Sequence, residues 1–180
     1  MSFRSNGRIT DKVNKIKLVI IDVDGVLTDG KMHMAAPGKE LKVFNIKDGS
    51  GIAMAHRVGL VTAIVSGRQD RIVENWAKKQ GIKEIFQKVF HKTDILEKLK
   101  KKYKLENHQI AYIGDDMIDL PVLRQVGLSV AVADAAEDIR KEVDFITQSA
   151  GGQGAVRELM ELILKTQRKW EKATDVYFRK

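Results

Sequence analysis

The chain has 180 residues, 43% hydrophobic and 31% charged, the balance of a soluble domain large enough to bury a full core. It holds no cysteine and no apolar run approaching the ~18 residues of a membrane span, which excludes disulfides, thiolate metal sites and a spanning helix. Its net charge of +8 sits at the two ends, residues 1–17 and 165–180, around a neutral body, a pattern of solvated termini and not of a nucleic-acid-binding face.

Apolar runs of strand length alternate with stretches of helical period. "IKLVIID" (16–22) predicts a strand, and "GKMHMAAPGKELKVFNI" (30–46) two short strands of an inserted hairpin around the turn "APGKE". A helix over 51–59, a strand over 60–66 and a helix over 70–81 follow. Next come a strand over 84–89, a helix over 92–103, a strand over 109–115 and a helix over 117–127. Strands over 128–133 and 143–147 flank a short helix, and 154–170 is the last helix. The expected architecture is α/β: a Rossmann-like doubly wound parallel sheet with helices on both faces, a small inserted β-hairpin and no cap domain. The expected organisation is a basic extension over 1–15, one domain over 16–168 and a basic tail over 169–180. With no signal-like apolar segment at the start, the expected location is the cytoplasm, with neither membrane nor nucleic acid as partner.

In such sheets ligands bind beyond the carboxyl ends of the strands. The polar, glycine-rich turns fall there: "DVDGVLTDG", "SGRQD" and "GDDMID". Asp22 and Asp24 share one side of an extended backbone, and Gly25 permits a sharp departure. Asp115, Asp116 and Asp119 follow a second buried strand. Two acid clusters at strand ends, without histidine or cysteine, describe a hard-cation site, and Mg²⁺ is the expected ion. Ser66 and Gly67, at a strand end that opens a helix, suit anionic oxygens. Lys92 begins a helix, where its charge opposes the dipole, a placement that nearby carboxylates and a phosphate would explain.

These four segments resemble the haloacid dehalogenase superfamily: D-x-D-G-x-x-T at 22–28, S-G-R at 66–68, a lysine at 92 and G-D-D-x-x-D at 114–119. The resemblance implies that Asp22 is the nucleophile and Asp24 the general acid and base. Mg²⁺ would be held by Asp22, Asp115 and the backbone carbonyl of Asp24. Ser66, Gly67 and Lys92 would bind the phosphoryl group, with Asp116 and Asp119 acting through water or holding Lys92. Thr28 and Asp29 would shape the turn into the hairpin. A phospho-receiver module also gathers acids around Mg²⁺, but Asp24 serves turnover and tells against it.

A finer similarity runs from about residue 16 to 165. "DVDGVLTDG", "KVFNIKDGSGI", "GDDMIDLPVLRQVGLSVAVADA" and "GGQGAVRE" resemble the 3-deoxy-D-manno-octulosonate 8-phosphate (KDO 8-phosphate) phosphatase family. This implies a small-molecule sugar-acid phosphate as substrate and a homotetramer built through the hairpins. It also implies contacts to the sugar from Asp24 and from Asn45, Ile46, Lys47, Asp48 and Gly49. Gly151, Gly152 and Gly154 would let the tail bend towards a site. Phosphatases of nine-carbon sialic-type acids, such as KDN 9-phosphate, share these motifs but carry glutamate after S/T-G. Arg68, able to grip a carboxylate with two donors, favours KDO 8-phosphate.

Overall fold

The computed structural model describes residues 7–36 and 39–178. Strand β1 is Leu18–Ile21, and β2 (His33–Ala36) pairs antiparallel with β3 (Lys39–Leu41) as a separate hairpin. Then come β4 (Val61–Val65), β5 (Glu84–Phe86), β6 (Ile110–Gly114), β7 (Leu128–Ala131) and β8 (Phe145–Ile146). The last five join β1 in one parallel sheet of order β5-β4-β1-β6-β7-β8. Every residue of β1 is buried, because the strand lies between β4 and β6 with helices over both faces.

The helices are α1 (Gly7–Asn14), α2 (Ile46–Arg57), α3 (Arg71–Lys79), α4 (Lys92–Tyr103), α5 (Leu120–Leu123), α6 (Glu137–Glu142), α7 (Ala155–Thr166) and α8 (Trp170–Thr174). The chain steps from β1 to β4 and β5 on one side, then returns to β6, β7 and β8 on the other. Right-handed crossovers therefore put α2 and α3 on one face, and α4, α5 and α6 on the other. Helix α7 comes back to the first face and packs on α2 and α1. The reversal sets the carboxyl ends of β1, β4 and β6 side by side, the crevice where this class of sheet binds ligands.

Several boundaries differ from the sequence pattern, each for a local reason. Helix α2 begins at Ile46 and not at 51, because the Asn45 side chain accepts from the Lys47 N–H at 2.9 Å and caps it. The helix expected over 117–127 is a 3-10 turn, Met117–Asp119, followed by the single turn of α5. The last helix stops at Thr166, and Arg168, at φ 56°, turns the chain into α8. The stretch expected as a basic extension supplies α1. Val13 is buried in the core, and Lys12 pairs with Asp144 at 2.5 Å. Residues of the expected tail form α8, whose Ala173 packs against Met54 of α2 and Leu164 of α7. The turn at Pro37 and Gly38, and the charges before residue 7 and after 178, lie outside the described residues.

Asp48 ties α2 to α7. It is fully buried, and its Oδ1 accepts from the Arg157 backbone N–H at 2.7 Å in the first turn of α7. Burial pushes its carboxyl up to about 6, against the opposing bonds from the Arg157 and Val156 amides. Replacing Asp48 by alanine leaves those amides without their cap, so Asp48→Ala is expected to cost about 1–2 kcal/mol. A lowered urea midpoint measures this; an unchanged midpoint contradicts it.

Candidate active site

Asp22 follows β1 directly and keeps its register, its N–H donating to the Ile113 carbonyl at 3.1 Å. The chain then curls tightly, with the N–H groups of Val26, Leu27 and Thr28 all turned to the Val23 carbonyl. Gly25, at φ +84°, makes the curl possible, and a Cβ there would stand 2.0 Å from Asp115 Oδ2. The Thr28 hydroxyl accepts from the N–H groups of Gly25 and Gly30, and Asp29 bonds Lys31 and His33. Both residues thus shape the turn into the hairpin.

Beyond β4, Ser66 is buried and its hydroxyl accepts from the Arg68 N–H at 3.2 Å. The helix expected to open there begins later: Asp70 caps α3, so the free N–H groups of its first turn do not face Ser66. The dipole-opposed position of Lys92 has its compensation. Its ammonium is buried 2.9 Å from Asp22 Oδ1 and 2.6 Å from Asp119 Oδ1.

Asp119 is fully enclosed and both its oxygens are engaged. Oδ1 accepts from Lys92 and from the Tyr112 hydroxyl at 2.5 Å, and Oδ2 from the Asp115 and Asp116 N–H groups at 3.0 and 3.4 Å. Burial, then the charge of Asp119, pushes the Asp22 carboxyl up to about 7, with Lys92 opposing. Burial, then Asp22, Asp119 and Asp116, pushes Asp115 up to about 8. Burial would lower Lys92, but the two carboxylates outweigh it and hold the ammonium above its ordinary value.

One oxygen from each of Asp22, Asp115 and Asp119 lies within 4.8 Å of the others. These are hard anionic donors in the pattern a small divalent cation takes, and mutual repulsion supplies the reason for one. Because Asp119 is saturated by hydrogen bonds, Asp22 and Asp115 are the side chains left to meet it.

Asp22, Asp24, Ser66, Gly67, Arg68, Lys92, Asp115 and Asp116 all open onto one cavity of about 290 Å³. Asp119 lies beneath it. The stretch expected to touch a sugar does not join them. Asn45, Ile46 and Gly49 line a separate groove beside the stacked rings of Phe44 and Trp76. Lys47 is exposed on α2, and Asp48 is buried towards α7. Of the glycines expected to free the tail, Gly151 and Gly152 instead press on the turn after β1, and Gly154 precedes α7. The Gly152 N–H donates to Val26 O at 2.9 Å, and a Cβ on Gly151 would meet Gly25 O at 1.9 Å. The tail itself lies along α2, where the Arg57 guanidinium faces the Tyr177 ring at 4.9 Å.

Three site residues escape the sequence pattern. Tyr112 is hidden in an apolar strand. Lys42, buried just beyond β3, pairs with Asp24 and stands 3.4 Å from Glu40 Oε1. Glu40 Oε2 in turn accepts from an Arg68 terminal nitrogen at 2.5 Å. The alternation in "GKELK" puts Glu40 and Lys42 on one side of a strand, which is the signal that could have found them.

A carboxylate at a strand end, a second two residues on, and a lysine and a serine beside the same cavity suit phosphoryl transfer to water, the work of a phosphatase. Residues 61–159 match the family model of the haloacid dehalogenase-like hydrolases. Over 166 residues, 90% of this chain and 86% of the relative, the sequence is 44% identical to the KDO 8-phosphate phosphatase of Escherichia coli K12. The crystal structure of the Yersinia pestis KDO 8-phosphate phosphatase superposes with a TM-score of 0.89 at 41% identity, covering 91% of this chain and 89% of that one. The Moraxella catarrhalis enzyme, solved with a magnesium ion, a phosphate ion and KDO, gives a TM-score of 0.92 at 38% identity over 96% and 99% of the two chains. The chain belongs to the haloacid dehalogenase-like hydrolases and, within them, to the family of the KDO 8-phosphate phosphatases.

Gly25→Ala tests the packing of this site. Its methyl must displace the Asp115 carboxylate, so thermal stabilisation by added Mg²⁺ is expected to vanish while the far-ultraviolet spectrum stays native. An undiminished thermal shift contradicts the placement of Asp115 at the cation.

Proposed function

We propose that the chain hydrolyses KDO 8-phosphate to KDO and inorganic phosphate through an aspartyl-phosphate on Asp22. The observation that carries the substrate is Arg68, whose guanidinium lines the cavity that holds Asp22 and is able to receive the carboxylate of a sugar acid. The 44% identity to a KDO 8-phosphate phosphatase supports the same reading.

The steps follow from the side chains. Lys92 and Ser66, with the backbone at Gly67, hold the phosphoryl oxygens. A carboxylate oxygen of Asp22 attacks phosphorus as the bond to the sugar oxygen breaks, and Asp24 gives the leaving alkoxide its proton. Asp24 then takes a proton from water, whose oxygen attacks phosphorus and frees Asp22. Mg²⁺, held by Asp22, Asp115 and the Asp24 carbonyl, supplies positive charge against the carboxylates and the phosphoryl oxygens. Asp119 fixes Lys92, and Asp116 caps the turn that carries Asp119 through the Met117 N–H at 2.7 Å. Lys42 fixes where the Asp24 carboxylate stands.

The same reading makes the protein a homotetramer, joined through the hairpin. Met32, Met34, Leu41 and Val43 all expose large apolar side chains there, an uncovered patch that a second copy would bury. The step would feed lipopolysaccharide synthesis in the cytoplasm. Among the described residues no helix is long and apolar enough to cross a membrane.

Phosphate release from KDO 8-phosphate, KDN 9-phosphate and glucose 6-phosphate tests the substrate: KDO 8-phosphate is expected to be preferred, and preference for KDN 9-phosphate overturns the choice between the two sugar acids. Asp22→Asn is expected to lower turnover by at least about a thousandfold. Wild-type turnover in that variant contradicts the nucleophile. Separately, Mg²⁺ is expected to raise the melting temperature and chelation to lower it, since the ion relieves repulsion between Asp22 and Asp115. No shift with either treatment contradicts the cation site.

A further inference from the structure

Arg68 does not stand alone at the mouth of the cavity. Its side chain is 46% exposed, so packing alone constrains its many rotamers weakly. One ion pair chooses among them: a terminal nitrogen donates to Glu40 Oε2 at 2.5 Å, and the other terminal nitrogen lies 3.9 Å from Asp24 Oδ1. Glu40 is itself held. Its Oε1 faces Lys42 at 3.4 Å, and the Lys42 ammonium pairs with Asp24. The result is a ladder of alternating sign, Asp24–Lys42–Glu40–Arg68, that joins the inserted hairpin to two strand ends of the sheet.

The ladder is neutral as a whole, so it fixes positions without adding net charge to the cavity mouth. Glu40 is not among the residues lining the cavity, so it reaches the substrate through Arg68 and not by direct contact. A guanidinium suits that relay. Its planar fork offers five N–H donors, so one edge can stay on Glu40 while another takes a second carboxylate. Although burial raises Glu40, the bond from Arg68 and the nearby Lys42 outweigh it and keep the carboxylate ionised.

We propose that Glu40 is a positioning residue for substrate selection: its ion pair sets Arg68 to receive the carboxylate of the substrate, so the hairpin as well as the sheet edge decides which phosphate monoesters are preferred. This rests on reading Arg68 as the contact to the sugar acid.

The test compares kcat/KM for a sugar-acid phosphate with that for glucose 6-phosphate, which has no carboxylate, in wild type, Glu40→Ala, Glu40→Gln and both changes on an Arg68→Ala background. The acid is KDO 8-phosphate or, should wild type prefer it, KDN 9-phosphate. Glu40→Ala is expected to lower the acid-to-neutral ratio roughly tenfold, through KM for the acid, the order expected when a positioning group is lost. Glu40→Gln, whose amide oxygen still accepts from Arg68, recovers most of the ratio. With Arg68 already replaced, Glu40→Ala changes the ratio no further. An unchanged ratio in Glu40→Ala, a loss shared equally by both substrates, or the same loss without Arg68 overturns the proposal. Wild type without preference for either acid overturns the reading of Arg68 itself, and the proposal with it.

Discussion

A lysine ammonium held between two aspartates and almost wholly buried is the interaction that holds the rest of the site in place. Lys92 and Asp119 keep 4% and 0% of their surface exposed, and removing either partner would strand the other's charge in a medium that solvates it poorly. The arrangement holds because each atom is answered. Asp119 gives one oxygen to Lys92 and Tyr112 and the other to two backbone N–H groups. The turn after β6 is thereby fastened to the first residue of α4, and through Lys92 to the end of β1. Asp22 is placed by the same bonds, held at one oxygen by Lys92.

Space is rationed around that triad. Gly25 and Gly114 have no side chain because Asp115 and Asp119 occupy the volume where a Cβ would go, at 2.0 and 2.4 Å. Gly151 presses equally closely on Gly25. The loop before α7 therefore braces the turn after β1, and α7 is in turn capped from α2 by Asp48. Helices that bear no catalytic group still set the position of the carboxylates, through backbone contacts and not through charge.

The sheet and the strand-end motifs were legible because their signals are local. Four aliphatic residues running into D-x-D-G mark a buried strand that ends in a turn, and acids recur at the end of β6 in the same way. Lys92 was legible as an anomaly, a cation at the wrong end of a helix. Non-local pairings were not. Nothing near Glu40 or Lys42 in the chain announces Arg68 or Asp24, 28 and 18 residues away respectively. Caps also moved boundaries that periodicity placed elsewhere: Asn45 draws the start of α2 forward into "NIKDG", which turns Asp48 towards α7 and away from the cavity.

In the proposed reaction Asp22 itself carries the phosphoryl group during turnover. Quenching the enzyme during steady-state hydrolysis of KDO 8-phosphate and reducing with borohydride converts an acyl phosphate to an alcohol at its own residue. Homoserine at position 22, absent without substrate, is the predicted result. Unmodified Asp22 with homoserine at Asp24 or Asp115 would contradict it.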